Sequence, residues 1–114
     1  MLRKYDLEDR TLKFANEVIQ FIAKVPRNIS CIEITKQLVR SAGSVGANYI
    51  EANESLSKKD FLMRIRICKK EAKETRYWLN LLEVAETLNK VKTYLIQEVT
   101  EFMKIFGAII EKSK

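Results

Sequence analysis

One stretch limits the fold of this chain more than any other. Phe61, Ile65, Cys68, Ala72, Thr75, Leu79 and Leu82 follow one another at steps of 4, 3, 4, 3, 4 and 3. A strand turns its side chains to opposite faces every second residue, so only a helix gathers all of these on one side. An unbroken heptad seam of this length belongs to long helices crossing at shallow angles. Leu95, Val99, Phe102, Phe106 and Ile109 repeat the steps later in the chain, with Met103 and Ile110 widening the face. The fold class that follows is all-α.

Local signals set the expected helix limits. Ser57, followed by Asp60, caps the seam-bearing helix, which is expected to reach about Leu88. Asn89 reads as the residue just past it and Lys90–Lys92 as a connection. Thr93 then caps a helix running to about Glu111, with Lys112–Lys114 frayed. Upstream, Asp6 as N-cap with Asp9 in the first turn predicts a helix from about Leu7 to Lys24, stopped by Pro26. Its spacing places Leu12, Ala15, Ile19 and Ile22 on an apolar face, with Phe14, Val18, Phe21 and Val25 beside them. Ser30 and Glu33 form a capping box for a helix reaching about Asn53, whose inward stripe is Ile34, Leu38 and Val45 with Ala42, Tyr49 and Ile50. Short connections between four such helices predict one domain over residues 1–114, an antiparallel up-down-up-down four-helix bundle.

Composition narrows the chemistry. No apolar run approaches the roughly 18 residues a membrane span needs, and MLRKYDLEDR lacks the apolar core of an export signal. A cytoplasmic protein with no membrane partner is therefore expected. Cys31 and Cys68 are expected to be buried thiols. With two Cys and no His, a structural zinc site lacks ligands, and the usual general base is missing too. No metal, cofactor or enzymatic activity is expected. A net charge of +6 permits a polyanionic partner without requiring one.

Three features carry candidate function. Lys59, Arg66, Lys69, Lys70, Lys73 and Arg76 fall in an arc opposite the heptad seam. They form either a solvated face or a ridge contacting the phosphates of RNA or DNA. Beside them runs a mixed stripe of Arg64, Ile67, Glu71, Glu74 and Trp78, read as a subunit interface or as the margin of the core. The stretch Arg40–Asn53 holds Gly43, Gly46 and Ala47, which admit a close neighbour, either within the chain or from another subunit. It also holds Asn48 and Glu51, expected to pair with Arg40, Arg64 or nearby backbone. Glu51 and Glu71 are the only acid–base pair considered for catalysis, and no nucleophile or phosphate-binding loop accompanies them.

RSAGSVGANYIEA (Arg40–Ala52), SKKDF (Ser57–Phe61) and KEAKETRYWLNLL (Lys70–Leu82) resemble the four helix bundle protein family. That family includes proteins encoded in intervening sequences of bacterial large-subunit ribosomal RNA genes. Where it often carries Asn-Ile-Ala-Glu, this chain has Asn48-Tyr49-Ile50-Glu51, with an aromatic in the middle. The resemblance implies an antiparallel bundle assembled as a cyclic homopentamer around a central channel. The chain is also similar to the accessory protein of diversity-generating retroelements, a basic pentameric barrel that binds nucleic acid and the element's reverse transcriptase. Self, RNA or DNA, and a reverse transcriptase or other protein are thus the implied partners. The function expected is a non-enzymatic oligomer binding structured RNA or DNA without reading bases. The alternative is an interaction scaffold with no nucleic-acid role.

Overall fold

The heptad seam is sealed: Ile65, Cys68, Ala72, Thr75, Leu79 and Leu82 have no exposed surface, and Phe61 is half-buried at one end. A computed structural model describes residues 4–114. It consists of α1 (Lys4–Ile22), α2 (Ile29–Asn53), α3 (Lys58–Leu81), a single 3-10 turn (Glu86–Leu88) and α4 (Asn89–Lys112). There is no strand among the described residues, and the helices form a four-helix bundle 44 Å long.

Each helix buries one stripe. In α1 the buried line is Leu7, Thr11, Phe14, Val18 and Phe21, continued past the helix by Val25. The expected face centred on Leu12 and Ile19 is corrected: these are 63% and 51% exposed. The helix carries two adjacent apolar stripes, and the bundle covers only one. Phe14 meets Phe102 of α4 edge-on, with ring centroids 5.4 Å apart. α1 meets α4 more loosely than α2 meets α3. The Arg10–Glu98 pair ties α1 to α4, with Nε and Nη2 donating to the two carboxylate oxygens at 2.7 and 2.8 Å.

The helix ends differ from expectation in instructive ways. α1 is already wound at Asp6, which lies in its first turn and is not the N-cap. It stops at Ile22, ahead of Pro26, because the residue before a proline is pushed out of helical geometry. α2 is capped by Asn28, whose Oδ1 accepts from the Cys31 N–H at 2.9 Å. The Ser30–Glu33 capping box does not form; the Ser30 hydroxyl instead donates to Asn28 Oδ1 at 3.1 Å. The Ser57 cap of α3 forms as read, accepting from the Asp60 N–H at 3.1 Å. α3 ends at Leu81, seven residues short of Leu88, and the chain turns extended at Leu82. Leu82 is buried there, and Lys92 Nζ donates to its carbonyl at 2.6 Å, so the freed oxygen is satisfied. Consequently α4 starts at Asn89, not after a Thr93 cap.

Between α2 and α3 the interface is partly polar. The Thr75 hydroxyl lies 2.8 Å from both the Ser41 hydroxyl and the Glu71 carbonyl oxygen, all within the buried layer. Tyr49, the aromatic in the Asn-x-x-Glu stretch, is buried and tilts against Phe106 at 6.0 Å. Cys31 and Cys68 are both buried and unpaired. Desolvation pushes the Cys68 thiol up to about 12. No helix among the described residues is long and apolar enough to cross a membrane.

Candidate nucleic-acid interface

Helical periodicity puts Arg66, Lys69, Lys70 and Lys73 on successive turns of α3, and the packing of α4 completes the site. These residues line a groove of about 480 Å³ together with Ile110, Glu111 and Lys114. The end of the Lys69 side chain lies against α4 at Gly107, where a Cβ would make an ordinary contact 3.7 Å from Lys69 Nζ. The end of α4 stays wound through Lys112, and the Ser113 and Lys114 N–H groups bond back to Ile110 and Glu111. Lys114 is thereby held at the groove, where fraying was expected.

The groove is strongly positive. Its one carboxylate, Glu111, is bonded by Lys114 at 2.9 Å, which holds its pKa below the usual range, with Lys69 adding to the effect. Arg66, Lys69 and Lys73 make no ion pair among the described residues, and Lys70 only approaches Glu71 at 3.8 Å. Not every expected base converges. Arg76 points to α4, where Nη1 donates to Thr100 Oγ1 at 3.4 Å. Lys59 stands about 10 Å before Arg66 along α3 and outside the groove.

The mixed stripe forms a fastening between α2 and α3. Arg40 spans Glu71 at 3.5 Å and Glu74 at 3.2 Å. Arg64 Nη1 donates to Asn48 Oδ1 at 3.0 Å, and the Asn48 amide donates to the Ser44 carbonyl and hydroxyl. Asn48 is thus answered within the chain, whereas Glu51 is exposed and takes no part. Glu51 also lies about 16 Å along α2 from Arg40, the residue facing Glu71, so the two carboxylates do not form a pair. Trp78 packs on the core edge with its Nε1–H buried and lacking an acceptor among the described residues. The exposed ring beside it is Tyr77, one turn past Lys73 on the face of Arg66 and Lys70.

The small-residue patch divides between two surroundings. A Cβ on Gly46 would lie 2.8 Å from Thr11 Oγ1, so this glycine admits α1. Gly43 has nothing within 4 Å of its Cβ position and faces outward. Sequence reading missed Gly107, Ile110, Glu111 and Lys114. A glycine inside an apolar helix, followed by an i,i+3 Glu–Lys pair, is the only local signal they carry.

A four-helix bundle bearing one positive groove is the class these observations define. The chain belongs to the 23S rRNA-intervening sequence protein family, whose model matches residues 3–108. A similar solved structure is a protein of unknown function from the S23 ribosomal protein family of Bacteroides thetaiotaomicron. It is 29% identical, covering 96% of this chain and 99% of that one, with a TM-score of 0.84. Comparison with curated proteins gave no match.

Proposed function

We propose that this chain is a non-enzymatic, cytoplasmic homo-oligomer that binds structured RNA or DNA through its basic groove, independently of sequence. One observation carries the reading: Arg66, Lys69, Lys70, Lys73 and Lys114 converge on a single groove whose only carboxylate is already engaged. Cations gathered this way release counterions from a phosphate backbone whatever its bases. Filter binding of a structured RNA across a salt series tests it. Affinity is expected to fall steeply as salt rises, and no binding at low salt would refute the reading.

The assembly is a ring of antiparallel bundles. In support of that helix order, contacts pair Arg40 with Glu74 and Asn48 with Arg64, so α3 numbers fall as α2 numbers rise. An exposed apolar strip supports the ring: Leu12 and Ile19 on α1, with Ile50 exposed on α2. Packed against a different surface of the next copy, such a strip gives a ring when the rotation closes. The number five comes from the family resemblance. Ile19→Glu should shrink the particle seen by light scattering while leaving helix content unchanged; an unaltered oligomer would remove this face from the assembly.

That same strip favours a second reading, an oligomeric interaction scaffold whose charge serves solubility. Retained partner capture by a variant with Lys69 and Lys73 changed to Gln, coupled with absent RNA binding by the parent, would select it.

A further inference from the structure

We infer that Tyr77 is a stacking platform for an unpaired base, set at the end of the row of cations on α3. This rests on the nucleic-acid reading above and names the feature of the ligand that the chain holds. Arg66, Lys70, Lys73 and Tyr77 follow one another at steps of 4, 3 and 4, so they share one face of the helix within an arc of about 60°. All four are exposed, and the tyrosine keeps 59% of its surface open. Lys59 continues the same face toward the start of the helix.

Surface rings scattered singly need no explanation. Tyr94 is such a ring, and its hydroxyl donates to Glu17 at 3.0 Å, a carboxylate that repels phosphate. The setting of Tyr77 is different. Lys73 stands one turn before it, a rise of about 6 Å, comparable with one nucleotide of an extended strand. Glu74, the carboxylate nearest in sequence, is drawn to Arg40 at 3.2 Å. Trp78 meets the Tyr77 ring at 5.0 Å and 77°, a perpendicular contact that leaves the ring largely uncovered. Stacking on such a ring accepts any base, because each has a π-face. In a structured RNA the bases free to stack lie in loops, bulges and ends. A backbone held on Lys70 and Lys73 thus delivers its next unpaired base to Tyr77.

Fluorescence anisotropy at low salt tests the platform with a thymine DNA strand of about 12 nucleotides, an abasic strand of equal length and charge, and a DNA duplex. The parent should bind the thymine strand at least about fivefold more tightly than the abasic one. Tyr77→Ala should erase that difference while binding the abasic strand as before, and Tyr77→Phe should retain it. Because no charge is lost, Tyr77→Ala should keep the salt slope, whereas Lys73→Gln should lower it by about 0.7. Trp78, the single tryptophan of the chain, supplies a second readout. Its emission should drop with the thymine strand and hold steady with the abasic one. Equal binding of the two strands by the parent, an unchanged preference in Tyr77→Ala, or binding of the duplex alone would overturn the platform and leave the nucleic-acid reading standing. A smaller Tyr77→Ala particle in light scattering would also overturn it, placing the ring in the assembly. Binding of no probe would overturn both readings.

Discussion

Gly46→Ala places a methyl group in the contact between α1 and α2. Alanine is favoured over glycine in a helix interior by about 1 kcal/mol, so the intrinsic effect is stabilising. Against it, the new Cβ would lie 2.8 Å from Thr11 Oγ1 and 3.2 Å from Thr11 Cβ. Thr11 is 1% exposed and its hydroxyl donates to the Glu8 carbonyl at 3.0 Å. Turning the side chain moves the oxygen but not Cβ, so α1 itself must shift. Overpacking of this kind costs about 1–3 kcal/mol. The net expectation is a loss of up to about 2 kcal/mol, or a Tm lower by up to roughly 10 °C.

Gly43→Ala is the matched control in the same helix. Nothing lies within 4 Å of its Cβ, so the propensity term stands alone and stability should rise by up to about 1 kcal/mol. Urea denaturation at two protein concentrations measures both variants while separating any contribution from assembly. Thr11→Ala combined with Gly46→Ala should lose less than the sum of the single changes, since the closest atom is gone. A Gly46→Ala protein stabilised as much as Gly43→Ala, or a Gly43→Ala protein damaged more than it, would refute the close approach of α1 to α2.

Two further perturbations address other parts of the bundle. Because burial raises the Cys68 thiol to about 12, the folded chain keeps that proton after the unfolded chain has lost it. Its contribution to stability is therefore whole below about pH 9 and falls by up to about 1.4 kcal/mol per pH unit as pH rises toward 12. The gap in stability between parent and Cys68→Ala should narrow over that window in denaturant titrations, and a constant gap would refute the shift. For the forked Arg10–Glu98 pair, a double-mutant cycle should give a coupling of about 0.5–1 kcal/mol, discounted because Arg10 is 36% exposed. A coupling near zero would show that this pair does not fasten α1 to α4.

The all-α fold and the burial of the α3 seam were legible in the sequence because they depend on period alone: the seam residues from Phe61 to Leu79 lie on one side of a helix whatever it packs against. The Ser57 cap was legible for a similar reason, since a side chain bonding a backbone N–H three residues on needs no distant partner. Asn28 and Ser30 are both good caps, and neither the residues nor their spacing says which one the chain uses. Likewise no Gly or Pro marks the end of α3. Burial of Leu82 and the bond from Lys92 draw the chain out of a stretch that would otherwise remain helical.

For the candidate site the division is similar. The convergence of Arg66, Lys69, Lys70 and Lys73 follows from the periodicity of one helix, so the sequence by itself determined that half of the groove. Its other wall, the release of Arg76 and Lys59 from it, and the separation of Gly43 from Gly46 were decided only by tertiary structure. Leu12 and Ile19 show why. A helix with two apolar stripes can turn either one inward, and the choice lies in the fit of Phe14 against Phe102 and of Gly46 against Thr11. Period is a property of a single helix, whereas rotation and register exist only between helices.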